Sequence, residues 1–292
     1  MKLFTLTSLA LVAFAANSFL CRWALGDALI DATSFTTVRI VSGAVALLLI
    51  CLLRPRPAAE AADAGNNHTS TWLTGGLLFS YAICFSLAYV SLNTGLGALL
   101  LFGAVQVTMM TAALRSGERL TAASWVGFGL AVAGVVYLLR PGATAPPLLG
   151  AILMMGSGVS WGLYSLAGKS AGDPVIRTAV NFRVAVIPAL IASGLAYSSL
   201  QWQTRGAVYA AISGAVTSGG GYVLWYSVLP QLSRTQASIL QLLVPVIAAA
   251  AGIAFLGETL SQRLIVSTLM IATGVTITVL AKRPTAKHQQ AT

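Results

Sequence analysis

The chain has 292 residues, 57% of them hydrophobic and only 8% charged, with a mean hydropathy of +0.83. Soluble domains carry roughly 25% charged residues, so a soluble fold is excluded; long unbroken apolar runs also exclude a β-barrel, whose strands alternate. The net charge is +10, but Lys and Arg stand at the ends of apolar runs, and no basic face interleaved with aromatics offers itself to nucleic acid.

Ten apolar spans follow one another: 3–24, 33–53, 71–93, 95–114, 121–139, 148–169, 176–198, 206–229, 235–256 and 263–281. Most approach the roughly 20 residues that cross a hydrocarbon core as a helix. The first begins like a cleaved signal peptide, with Lys2, an apolar stretch and Ala13-Phe14-Ala15. Its apolar run continues to Leu25, however, and the second half of the chain has a counterpart span, so an uncleaved helix is expected. The longest loop, 54–71, holds Pro55, Pro57, Asn66 and Asn67 and is expected to be polar and cytoplasmic. With the N-terminus placed inside, the cytoplasmic ends collect Lys2, Arg54, Arg56, Arg115, Arg119, Lys169, Arg177 and Arg234, whereas Arg22, Arg140, Arg205 and Arg263 fall outside. That bias puts both termini in the cytoplasm.

The hydrophobic unit is written twice. Gly257, Glu258 and Leu260 fall on Gly117, Glu118 and Leu120, and Gly274 falls on Gly134. Five spans lie on each side of the linker 140–147, giving repeats over 1–140 and 147–282. An odd number of crossings inserts the second copy upside down. Such inverted repeats are common in transporters, with the site near the midplane between the halves. The fold expected is an all-α membrane protein of ten transmembrane helices in two inverted five-helix repeats.

These features resemble the EamA-like branch of the drug/metabolite transporter superfamily over nearly the whole chain. The residues that carry the likeness are LRSGERL (Leu114–Leu120) and LGETL (Leu256–Leu260), Arg39 and Arg183 in the second span of each half, Pro245, and Ser160-Trp161-Gly162-Leu163-Tyr164. The third span, SYAICFSLAY (Ser80–Tyr89), is similar to the aromatic amino-acid exporters of that family. Val105 stands where the ninth span has Pro245, and Ala15-Ala16 where the family often has Trp-Gly, so the first half is the less typical copy. The resemblance implies a monomeric carrier of the bacterial inner membrane, without cofactor. It would export aromatic or neutral amino acids or similar small metabolites by alternating access, with helices 1, 3, 4, 6, 8 and 9 around the path. A proton-coupled drug or metabolite exporter is the alternative, then a channel, a membrane enzyme or a scaffold.

The acids are Asp27, Asp31, Glu60, Asp63, Glu118, Asp173 and Glu258, and the histidines His68 and His288. All fall at helix ends, in loops or in the tail. A carboxylate proton relay needs an acid inside the membrane, so facilitated transport is expected. Nor do acid, base and nucleophile converge as an enzyme requires. Cys21, Cys51 and Cys84 lie in apolar runs without metal-ligand spacing, and read as small buried hydrophobes.

Glu118 and Glu258 read as helix caps or as partners of Arg119 or Arg263, with gating as the other role. Arg39 and Arg183 either snorkel to an interface or pair with a substrate carboxylate. The mid-span polar groups Asn17, Gln106, Ser157, Ser160 and Gln241 are helix-to-helix hydrogen-bond candidates. Gln241 is singled out because Pro245 cannot donate to its carbonyl, which kinks the helix and leaves a polar cavity element. Tyr81 with Phe85, and Trp161 with Tyr164, read as core or as a cavity that stacks apolar and aromatic groups. Trp23, Trp72, Trp125 and Trp202 read as interfacial belt, as do Trp225 and Tyr226. Gly219-Gly220-Gly221 permits a close helix approach or a hinge.

Overall fold

The computed structural model describes residues 2–53, 68–117, 121–142, 145–167, 173–232 and 240–281. The described residues are helical apart from turns and one isolated bridge, Ile30 to Trp202. The helices are α1 (Lys2–Gly26), α2 (Ala32–Leu53), α3 (His68–Tyr89), α4 (Thr94–Arg115), α5 (Ala122–Leu139), α6 (Leu148–Ala167), α7 (Pro174–Leu195), α8 (Thr204–Gln231), α9 (Leu243–Leu256) and α10 (Gln262–Leu280). Among the described residues nine are long and apolar enough to span a bilayer, and α9 is a shorter apolar helix.

Helix starts follow from side-chain caps that satisfy orphan N–H groups. Asp31 Oδ1 accepts from Ser34 N (2.9 Å), Thr121 Oγ1 from Ser124 N (3.1 Å), Asp173 Oδ1 from Val175 N (2.7 Å) and Ser261 Oγ from Leu264 N (3.1 Å). The repeated Gly-Glu stop has a backbone reason. Gly117 and Gly257 both adopt positive φ, +81° and +64°, a conformation that favours glycine. At Gly257 this left-handed cap lets Glu258 N donate to Gly252 O (3.1 Å).

Large apolar side chains stand exposed all round the bundle, among them Leu53, Leu149, Ile191 and Phe255. In water such a surface would aggregate; in lipid it is the required outer face. Inside, α1 packs on α3, α4, α8 and α9; α2 on α7 and α8; α3 on α6 and α7; α4 on α6 and α9; and α5 on α10. Small residues allow α5 and α10 to cross closely: a Cβ on Gly127 or on Gly274 would strike the other's backbone carbonyl.

Two elements depart from uniform helices. Residues Ser213–Gly220 inside α8 form a π-helix. The close approach there belongs to Gly214, whose added Cβ would collide with the Arg39 carbonyl and Ser42 Oγ, whereas Gly220 has only ordinary contacts. The ninth span, expected at 235–256, is described from Leu240 and breaks at Leu242 before α9 starts anew. Pro245 therefore lies in the first turn of a helix, where its missing N–H leaves no hydrogen bond unmade. Trp225 is also not a belt residue. It is 6% exposed and meets Phe14 edge-on at 5.9 Å, so packing between α8 and α1 overrides its nearness to a span end.

Candidate functional site

A cavity opens between the halves. Its lining includes Phe14, Asn17 and Ser18 from α1, Tyr81 and Phe85 from α3, Leu101 and Phe102 from α4, and Trp161 from α6. Thr217, Ser218 and Tyr222 from α8 and Gln241 just before α9 complete it. The wall thus draws on the first, third, fourth, sixth, eighth and ninth spans. Of the residues singled out from sequence, Asn17, Tyr81, Phe85, Trp161 and Gln241 meet here.

Aromatic rings fill most of the space. Trp161 lies 4.9 Å from Tyr81 and 5.1 Å from Tyr222 between ring centres, and Tyr222 is 6.1 Å from Phe14. The free volume is about 30 Å³, room for water-sized groups rather than a metabolite. A larger guest requires these rings to part. Polar groups border the aromatic cluster. Asn17 Nδ2 donates to Tyr81 Oη (3.4 Å), and Asn17 Oδ1 accepts from Ser213 Oγ (2.7 Å) and Thr217 Oγ1 (3.5 Å). The π-helix aims both hydroxyls at α1 from one side of α8.

Arg39 lies behind this wall, against the lining residues Tyr81 and Ser218. It is 2% exposed, so it does not snorkel. Its Nη2 donates to Tyr81 Oη (2.9 Å) and its Nε to Ser218 Oγ (3.2 Å). The guanidinium carbon stands 5.1 Å from the Tyr81 ring centre and 5.0 Å from that of Phe85. Such contacts offset part of a charge's burial cost, which is roughly 2.5–3.5 kcal/mol at a helix centre on insertion scales. Arg183, its counterpart on α7, is exposed and borders an apolar surface cleft between α2 and α7, a setting in which snorkelling suffices.

The remaining candidates lie off the cavity wall. Tyr164 is buried behind Trp161, 5.4 Å between rings, and its hydroxyl accepts from Asn181 Nδ2 (3.2 Å); Thr74 Oγ1 donates to Asn181 Oδ1 (2.7 Å). That chain ties α3, α6 and α7 together on one side of the cavity. Gln106 is half-buried on α4, outside the lining. Glu258 closes the bundle on the opposite side. It accepts from Thr94 N and Thr94 Oγ1 and faces Arg22 Nε at 3.6 Å, so its partner is Arg22 rather than Arg263, which donates to Arg140 O. Glu118 lies outside the described residues. No cluster of potential metal ligands occurs among the described residues.

Sequence reasoning missed Phe14, Ser18, Leu101, Phe102, Thr217, Ser218 and Tyr222 as lining residues. The run Ser213–Tyr222, rich in Ser, Thr and Gly within an apolar span, was the available signal for α8. Nothing in the sequence distinguished Phe14, Leu101 or Phe102 from ordinary core.

The profile of the EamA-like transporter family matches residues 148–280. An uncharacterized protein of Pseudomonas aeruginosa is 48% identical over 278 residues, covering 95% of this chain and 94% of that protein. The chain belongs to the EamA-like transporter family. A probable amino-acid metabolite efflux pump of Escherichia coli is similar at 26% identity, over 71% of this chain and 76% of that one. A crystal structure shares the fold, with a TM-score of 0.62 at 19% identity, covering 94% of this chain and 99% of the other. This EamA-like chain is a multi-pass membrane protein.

Proposed function

We propose that this EamA-like protein is an inner-membrane carrier that exports amino acids, aromatic or neutral, or similar small metabolites by alternating access. The observation that carries the reading is the cavity between the halves, lined by aromatic rings and uncharged polar groups and flanked by helix-to-helix hydrogen bonds at Tyr164–Asn181 and Thr94–Glu258. The printed name of the Escherichia coli relative, an amino-acid metabolite efflux pump, points the same way.

The helix packing supports two inverted five-helix repeats, 1–140 and 147–282. Exchanging each helix for the one five places on maps α3–α6 onto α8–α1, α4–α6 onto α9–α1, and α3–α7 onto α8–α2. It maps α2–α7, α4–α9 and α5–α10 onto themselves, and all these pairs are in contact. The basic-loop bias places both termini in the cytoplasm and the Arg22–Glu258 end outside. In that orientation the outer end is closed, and opening it requires the Glu258 contacts to break.

Transport is facilitative. Every described carboxylate, namely Asp27, Asp31, Asp173 and Glu258, lies at or beyond a helix end. The test is uptake of a panel of labelled amino acids into proteoliposomes with no imposed ΔpH or potential. Saturable equilibration of at least one is expected. Uptake that never saturates would indicate a channel, and strict dependence on an imposed proton gradient would indicate coupling; either overturns the reading.

A further inference from the structure

We infer that Arg39 is the carboxylate-binding group of the central cavity, and that what the cavity holds is an organic acid whose amine, if it has one, is not required. The inference rests on the transport reading for its purpose, but not for its test.

A guanidinium offers five N–H donors in a planar fork suited to a carboxylate. In Arg39, Nε and Nη2 are taken by the hydroxyls of Ser218 and Tyr81, both neutral and both cavity-lining. The third nitrogen, Nη1, is buried and finds no hydrogen-bond partner among the described residues. No described carboxylate balances the charge there: Asp27, Asp31, Asp173 and Glu258 all lie at or beyond helix ends, and none of them lines the cavity. A fixed cation buried beside a cavity, with a donor unused and no counter-ion, is a site that an anionic guest completes.

The remainder of the guest is also specified. Tyr81, Phe85, Trp161 and Tyr222 present ring faces and edges to an apolar or aromatic body. Among the described residues no carboxylate lines the cavity to receive an ammonium group. Recognition therefore falls on the acid end. A carboxylate arriving at Arg39 competes with Tyr81 and Ser218 for its N–H groups, loosening the ties from α2 to α3 and α8 as it binds.

The experiment measures thermal stabilisation of the detergent-purified full chain by phenylalanine, 3-phenylpropionate, acetate and the matching amides, for wild type, Arg39→Gln and Arg39→Lys. The two aromatic acids should raise the melting temperature, with 3-phenylpropionate at least equal to phenylalanine, and the amides should need at least tenfold higher concentration. Arg39→Gln should abolish the preference for acid over amide, and Arg39→Lys should retain part of it. If Arg39→Gln does not fold, the wild-type and Arg39→Lys comparisons decide alone. Equal shifts from acid and amide, no shift from any acid, or a preference that survives Arg39→Gln would each overturn the inference. If acids bind through Arg39 but no flux appears in proteoliposomes, the transport reading fails and the carboxylate site stands.

Discussion

Both carboxylate oxygens of Glu258 lie 2.9 Å from the backbone nitrogen of Thr94, 164 positions earlier in the chain. The glutamate that ends one helix thus caps the start of α4 from the other half. An acid at a helix N-terminus is favoured by the unpaired N–H groups and by the helix dipole. Glu258 also faces Arg22, which itself donates to the carbonyls of Tyr89 and Val90 at 3.1 Å each. We expect Glu258→Ala to lose about 1–3 kcal/mol, the range for hydrogen bonds to a charged group and a lost cap. Thermal melts in detergent check this; an unchanged melting temperature would show that the cap carries no stability.

Gly214 is where α8 and α2 approach most closely. A methyl group there would collide with the carbonyl of Arg39 and the hydroxyl of Ser42. Both are held by backbone or by a short side chain, so neither can yield cheaply. Gly214→Ala should destabilise by about 1–3 kcal/mol, as overpacking does, and should displace Arg39. Gly76→Ala is the control, since nothing lies within 4 Å of its added Cβ. The melting temperatures of the two variants should separate clearly.

Asp31 ties the α1–α2 turn to the segment after α7. Its Oδ2 accepts from Gln201 N (3.3 Å) and Asp31 N donates to Gln201 O (3.0 Å). Partial burial by itself would raise its pKa. Hydrogen bonds from Thr33, Ser34 and Gln201 outweigh that and hold it below the usual carboxylate range. A carboxyl depressed in the folded state contributes stability that is fully present above its unfolded pKa, about 3.9, and is lost as pH falls through the folded value. Stability from this tie should therefore be flat from about pH 5 to 8 and decline in acid. In a pH series of melts, Asp31→Asn should remove that contribution to the acid limb and leave the neutral region without slope.

What could be read from sequence follows from what periodicity and span length record. Ten apolar runs, two of them ending in a Gly-Glu stop, announce the helices, because lipid forces backbone hydrogen bonds inside each segment. Asn17, Tyr81, Trp161 and Gln241 stood out as polar or amphipathic groups far from any span end. Arg39 and Arg183 looked alike, each about two turns inside a helix. Their difference lies in neighbours: Tyr81 and Ser218 come from other helices to meet Arg39, whereas Arg183 borders lipid-facing surface. Trp225 was misread for the same reason, since only the approach of Phe14 places it inside. Nor does the sequence announce the π-helix at Ser213–Gly220; of 219–221, Gly219 meets α2 in ordinary contact and Gly221 approaches Ala13 of α1 closely, but the tightest approach to α2 falls on Gly214.

If the aromatic cavity is the path of the substrate, as proposed, four variants should separate in gradient-free uptake. Trp161 touches Tyr81 and Tyr222 across the cavity, and Gln241 lines it beside the break at Leu242. Trp72 and Trp202 are 56% and 55% exposed on the outside of the bundle. Aromatic contacts of about 0.5–1.5 kcal/mol, and a similar amount for one polar contact, correspond to severalfold in rate or affinity. Trp161→Ala and Gln241→Ala should each lower proteoliposome uptake severalfold at near wild-type membrane expression, with Trp72→Ala and Trp202→Ala close to wild type. Equal behaviour of all four, or a Trp161→Ala defect that vanishes once uptake is normalised to the amount of folded protein, would contradict the claim and make Trp161 a packing residue.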